Sequence, residues 1–288
     1  MRRQPFRVSK LAASLAVALG LITPTAANIV GAQAGLPGVV GQEATVITGS
    51  PVRPHGFHPP SSGVRPNPER IAREAARAAR RAALVARWTN LLVHVPGTVP
   101  AFARPSGVAA QIGVVPAGSK YFGFPIVAWV ERISRDGRWG RVELPYTWPR
   151  REGWIRLAGL RRETTRIRVE IDLSQHLVTV RKLDRVLFRA PGATGAPWSP
   201  TPVGEYFVTD RVSFSAGGSL GSFAFGISGI QPRLPAGWSG GNQLAIHGTN
   251  NPSSIGRSAS AGCVRVSEGT LARLLPLLRY GTPVIVHG

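Results

Sequence analysis

Apolar and polar residues change rhythm several times along this chain, and each change marks an element or a boundary. From residue 166 the segment RIRVEID alternates with period two, which sets Ile167, Val169 and Ile171 on one face of a strand. LVTVRK and RVLFRA repeat the pattern after the short turns Ser174-Gln175 and Leu183-Asp184, so the three runs form an antiparallel meander. TPVGEYFV, residues 201–208, enters another strand through Pro202 and Gly204. Near the end, Ser267 caps a short helix over LARLLPLL, bent at Pro276, and Val284 to Val286 make a closing strand. Residues 165–288 are therefore expected to be mainly β, a mixed β-sandwich or half-barrel with one late helix.

Upstream the pattern is different. Between Leu91 and Leu160 short apolar runs are broken by Gly and Pro, and Asp136-Gly137 is a tight-hairpin signal. This predicts a separate small β-barrel over 89–162, in which Trp129, Trp139, Trp148 and Trp154 line a groove or fill the core. Before it, Asn67 is a good N-cap, Pro68 suits the first helical position and Glu69 favours the positive dipole end, so one N-terminal helix runs over 67–88. Ile71, Ala75, Ala78, Ala82 and Val85 give it a thin apolar stripe, while Arg70, Arg73, Arg77, Arg80 and Arg87 line another face. Two readings stay open for this helix: a solvated element packing weakly on the next domain, or a basic face laid on anionic wall polymer or lipid headgroups.

Residues 35–66 are rich in Gly, Pro, Ser and His without periodicity, the composition of a disordered linker. His55 and His58 in it lack further ligands nearby and read as solvated loop residues. Residues 1–34 have the three-part layout of a signal peptide: Arg2, Arg3, Arg7 and Lys10, then LAASLAVALGLI, then Ala32-Gln33-Ala34. That apolar run is shorter than the roughly 20 residues needed to span a bilayer. The expectation is export, to a periplasm or the cell surface.

Composition narrows the partners. Hydrophobic residues at 43% and charged residues at 17% describe a globular chain. The formal net charge of +21 is carried almost wholly by arginine, since Lys10, Lys120 and Lys182 are the only lysines. A basic protein attracts polyanions, and an exported one meets wall polymers and lipids, with no nucleic acid among its expected partners. Export also sharpens the meaning of the chain's one cysteine, Cys263, which has no intrachain partner to pair with. It is a buried inert thiol, an intermolecular bridge or a reactive nucleophile.

The stretch LAIHGTNNPSSIGRSASAGCVRV, Leu244 to Val266, bears on that choice. His247 ends a short apolar run, turn-forming residues follow, and Cys263 comes back 16 residues later. A thiol and an imidazole brought together are the minimal apparatus of nucleophilic catalysis. Pairing with histidine, and the charges of Arg265 and Arg257, would lower the thiol pKa, and glycine before the cysteine permits a tight turn. One Cys and one His are too few for zinc, so no metal and no cofactor is expected.

IHGTNNPSSIG, SAGCVRV and the upstream TPVGEYFV together resemble the L,D-transpeptidase catalytic domain, the YkuD-like family, over about Ile167 to Val286. The resemblance implies a cysteine that attacks a peptidoglycan stem peptide, giving a thioester that the amine of another stem resolves, which forms 3-3 cross-links. It makes Cys263 the nucleophile and His247 the base, with Gly248 orienting the imidazole through its carbonyl. Gly262 and Cys263 would offer backbone N–H groups to the oxyanion, Arg265 and Ser260 match motif positions, and Thr249, Asn250, Trp238 and Phe225 are candidates for substrate contact. Many members carry a second histidine where this chain has Ala261, which leaves His247 as the only base. Water in place of the acceptor amine would make the protein a carboxypeptidase, and a non-catalytic peptidoglycan-binding protein is the remaining alternative. The region 89–162 resembles, more loosely, the bacterial SH3-like family, which implies a wall-peptide binder or a packing partner. The glycine-rich stretch from Ser213 to Asn242, with Phe214, Phe223, Phe225 and Trp238, is either a wall over the site or a hairpin with ordinary core aromatics.

Overall fold

The computed structural model describes residues 67–215 and 217–288; the expected leader, 1–34, and the whole of the expected linker, 35–66, lie outside the described residues. Helix α1, Pro68–Trp88, begins at its cap: the Asn67 side-chain oxygen accepts from the N–H groups of Glu69 at 2.9 Å and Arg70 at 3.4 Å. None of its residues is buried, because a stripe made mostly of alanine has little area to bury. At its C-terminal end the Arg168 guanidinium lies 3.7 Å over the Trp88 ring, which ties the helix to the strands that follow.

Seven strands form the first sheet: β1 Asn90–His94, β2 Val99–Phe102, β3 Gln111–Val115, β4 Val127–Ile133, β5 Trp139–Leu144, β6 Arg151–Arg156 and β7 Arg162–Thr165. They pair antiparallel in the order β3-β2-β6-β5-β4-β1-β7. Gly137 takes φ +69 in the predicted β4–β5 hairpin, the left-handed conformation that such a turn needs. Trp129 and Trp139 are buried while Trp148 is exposed, so the tryptophans divide between core and surface. The sheet also runs further than the sequence pattern suggested. RETT, 162–165, has no apolar alternation, yet it pairs with β1 as β7, so the boundary falls at Arg166 and not at 162.

The second sheet uses β8 Ile167–Asp172, β9 Leu177–Lys182 and β10 Arg185–Pro191 as the expected antiparallel meander. The short β11 Thr194–Gly195 is followed by β12 Gly204–Ser213, β13 Phe223–Ile230, β14 Gln243–His247, β15 Ser258–Ser260 and β16 Val264–Arg265. Helix α2, Glu268–Leu274, leads to β17 Pro283–His287. Eight of these strands share one sheet in the order β10-β9-β8-β17-β12-β13-β14-β16, and β11 pairs with β15 beside it. β17 runs parallel to β8 and β16 parallel to β14, which makes the sheet mixed. Ser267 caps α2 by accepting from Thr270 N–H at 3.2 Å. The helix stops at Leu274, so Pro276 lies beyond it and does not bend it.

Strand β12 joins the two units. Tyr206 and Val208 point into the core of the second sheet, among Val169, Ile171, Leu271 and Leu274. Phe207, between them in sequence, is fully buried in the core of the first sheet with Leu92, Ile126 and Val142. Period-two alternation on one strand thus serves two cores.

Candidate active site

The site follows from the same alternation on the last strands of the second sheet. In Leu244-Ala245-Ile246-His247, Leu244 and Ile246 enter the core, and in Cys263-Val264-Arg265-Val266 the two valines do. Ala245, His247, Cys263 and Arg265 are left on the opposite face, where they line a cavity of about 590 Å³. Pairing aligns them across strands: Ile246 stands beside Val264 and His247 beside Arg265. On β13, Ala224 faces His247 and Gly226 faces Ala245, and these small side chains make the cavity floor. His247 and Cys263 are diagonal neighbours on parallel strands, on the order of 8 Å between Cα atoms at ordinary sheet spacings.

Each group is held from behind. His247 is buried, and its Nδ1–H donates to the Gly248 carbonyl at 2.5 Å, which leaves Nε2 as the unprotonated nitrogen of the neutral ring. Gly248 N–H in turn donates to Phe223 O at 3.2 Å. Before the cysteine the chain makes a turn with Gly262 at φ +113. Thr201 Oγ1 donates to Gly262 O at 2.8 Å, and Ser199 Oγ donates to Ala261 O at 3.0 Å. Ser260 Oγ donates to Cys263 O at 2.5 Å and accepts from Gly262 N–H at 3.0 Å. That last bond corrects the expected pair of oxyanion donors: the Gly262 N–H is already engaged, and the Cys263 N–H is the one left of the two.

A Cβ on Gly262 would lie 2.1 Å from Nε2 of Gln231, a buried side chain that itself donates to Pro200 O at 3.0 Å and whose Oε1 accepts from Arg233 N–H at 2.9 Å. Gly262→Ala adds this clash to a left-handed backbone and is expected to cost about 3 kcal/mol of stability. Urea unfolding of the two proteins measures it; a difference below about 1 kcal/mol would mean that the turn is free to relax.

Electrostatics give a second correction. Burial pushes the His247 pKa down to about 4, against the pull of its bond to Gly248 O and with the nearby Arg265 charge adding to the fall. Burial pushes the Cys263 thiol up, and a hydrogen bond with the Ala245 backbone and the charge of Arg265 offset this only in part. The expected arginine-stabilised thiolate is therefore not the resting state. Desolvation outweighs one adjacent cation, and Arg257 is exposed on the turn, outside the cavity lining. The resting pair is a neutral thiol and a neutral imidazole.

The other sequence candidates divide. Ser260, Arg265 and Trp238 line the cavity. Phe225 does not: it is fully buried in the core, 4.9 Å from Phe223 between ring centroids, because strand alternation turns Ala224 and Gly226 towards the cavity instead. Thr249 and Asn250 lie outside the lining: Thr249 Oγ1 braces the following turn by accepting from Asn251 N–H at 3.0 Å, and Asn250 Nδ2 donates at 3.4 Å to Gly217 O in the loop between β12 and β13. The glycine-rich stretch is thus both things at once: Phe214 and Trp238 wall the cavity, while Phe223 and Phe225 belong to the core. Two braces had no reading from the sequence, Thr201 and Gln231. Thr201 opens the TPVG motif, which is the signal that it is more than a strand entry.

With this geometry in hand, the comparison with known proteins is direct. Residues 166–286 match the family model YkuD, described as the L,D-transpeptidase catalytic domain. This stretch is an L,D-transpeptidase catalytic domain. The protein of Bacillus licheniformis named L,D-transpeptidase YkuD is 29% identical over 133 residues, 46% of this chain and 73% of its own length. Its namesake in Bacillus subtilis is 28% identical over 119 residues, 41% of this chain and 65% of its own. The chain thus spans between about two thirds and three quarters of the curated relatives it matches. Among solved structures, the L,D-transpeptidase from Mycobacterium smegmatis is 17% identical, covering 68% of this chain and 99% of its own, with a TM-score of 0.38.

Proposed function

We propose that this L,D-transpeptidase domain transfers acyl groups between peptidoglycan stem peptides through a thioester on Cys263, forming 3-3 cross-links outside the cytoplasmic membrane. The observation that carries the reading is the joint placement of Cys263 and a tautomer-fixed His247 on one face of two adjacent strands, open to one cavity. His247 Nε2 takes the thiol proton as Sγ attacks the carbonyl carbon of the third stem residue. The carbonyl oxygen becomes an oxyanion facing the Cys263 N–H, a donor of the kind that typically lowers such barriers by about 3 kcal/mol. The leaving amine of the fourth residue departs with the proton from His247, and the thioester remains. An amine from a second stem then attacks the thioester carbon and breaks the C–S bond, and the proton it loses passes through His247 to the departing Cys263 sulfur, which restores the thiol and the neutral imidazole. Because position 261 is alanine, one imidazole serves every proton transfer.

The test is the intact mass of the purified protein after incubation with a carbapenem, an acylating agent for such thiols. One adduct is expected on the wild type and none on Cys263→Ala; an unmodified wild type, or an adduct that survives the substitution, overturns the reading. Tetrapeptide stems supplied to the same protein then separate cross-linked product from trimmed tripeptide.

A further inference from the structure

The cavity is not built from the C-terminal domain alone. Tyr121 and Phe122, from the loop between β3 and β4 of the first sheet, line it together with Trp238 from the loop between β13 and β14. The three side chains are 46%, 50% and 48% exposed, unusual for large rings at the mouth of a cavity. Two of the three are held at their polar edges. Tyr121 Oη accepts from Asn242 N–H and donates to Asn242 Oδ1, both at 3.1 Å, and Lys120 Nζ donates to the same Oδ1 at 2.9 Å. Trp238 Nε1–H donates to Gly241 O at 3.1 Å. Glycine at 241 is required for this approach, since a Cβ there would lie 2.7 Å from the Tyr121 ring. Phe122 has no polar rim and stacks on Phe124 at 5.9 Å between centroids, so two rings tied by hydrogen bonds and one held by stacking line the cavity together.

Their position along β14 tells which part of a ligand meets them. Asn242 immediately precedes β14, whereas Cys263 stands beside Ala245, three residues further on, or about 10 Å of strand. An extended peptide covers that distance in about three residues. A stem laid with its N-terminal end towards Asn242 and its third carbonyl at Cys263 would bring the first stem residue, and the sugar that bears it, to the aromatic rings. A pyranose has an apolar C–H face that packs on a ring and hydroxyls at its edge that suit a rim like Lys120 and Asn242.

We propose that Tyr121, Phe122 and Trp238 form a saccharide subsite, so that the first sheet completes the substrate cleft and selects stems still attached to their glycan. This rests on the stem-peptide reading above. The test separates the two by measuring binding instead of turnover, on the full chain carrying Cys263→Ala. Calorimetry compares a disaccharide-tetrapeptide with the same tetrapeptide lacking sugar. The glycosylated ligand is expected to bind about tenfold more tightly. Phe122→Ala and Trp238→Ala should each cut that ratio to about threefold or less. Tyr121→Phe keeps the ring and loses only the clasp to Asn242, so it should retain the preference. A ratio near one in the parent protein, no binding of either ligand, or a ratio that survives both alanine substitutions overturns the subsite. Failure of the carbapenem adduct, by contrast, overturns the chemistry at Cys263.

Discussion

Replacing His247 with glutamine is expected to slow acylation of Cys263 by about a thousandfold at pH 7, within the range for loss of a positioned base. The size of the effect follows from the resting state. Burial keeps the thiol protonated and the imidazole neutral, so no thiolate waits at the site and the proton must leave during attack. Among the described residues that line the cavity His247 is the one histidine, and position 261 is alanine. The pH profile carries the sharper signature. With its pKa pushed down to about 4, His247 remains a competent base far below the usual histidine range, so the acid limb of the wild type should lie near pH 4 and not near 6.5. The glutamine variant has no such limb; its rate should climb steadily with pH as thiolate forms. Single-turnover acylation by a carbapenem between pH 4 and 9 measures both. An acid limb near 6.5 would mean a solvated imidazole, and a loss below tenfold would mean that another group takes the proton.

Much of this site could be read from the chain before folding, because β-strands convert spacing into facing. Alternation in L-A-I-H and in C-V-R-V already assigns His247 and Cys263 to the side opposite the core, and the turn residues between them bring the second strand back beside the first. The same rule, applied to F-A-F-G-I, would have removed Phe225 from the substrate candidates, since its small neighbours Ala224 and Gly226 are the ones left to face a ligand. Other features had no local signal. The polar RETT strand is defined by its pairing with β1 and not by its own residues. Thr201 reaches a carbonyl 61 positions away, and Tyr121 meets Asn242 across 121. The protonation states are not legible for a related reason: sequence shows the charges of Arg257 and Arg265 but not the desolvation that outweighs them. Contacts between distant segments decide burial, and burial decides the chemistry.

The seam between the two units yields the other large effect, which concerns stability. Glu143 on β5 is almost fully buried against β13, where Ser228 Oγ donates to its carboxyl and accepts from the Phe207 N–H at 3.0 Å. Arg150 stands 3.9 Å from Glu143 Oε1, but its guanidinium also serves Glu131 and Glu152, so little of its charge is left for Glu143. Burial therefore raises the Glu143 pKa to about 8, with Glu131 and Glu205 adding to the rise and Ser228 and Arg150 opposing it. The folded protein then holds a proton that the unfolded chain releases above its ordinary value of 4.5. The stabilising contribution is complete below pH 4.5 and is lost as pH rises through 8, to a total on the order of 5 kcal/mol. His247 slopes the other way: its depressed pKa removes up to about 3 kcal/mol as pH falls from 6.5 to 4. Glu143→Gln keeps an acceptor for Ser228 and cannot ionise, so comparing it with the wild type cancels the histidine. Urea unfolding should find the two proteins similar at pH 5 and the variant more stable by several kcal/mol at pH 8. Equal stability at both values would mean that Glu143 is ionised in the fold, with Arg150 as its real partner.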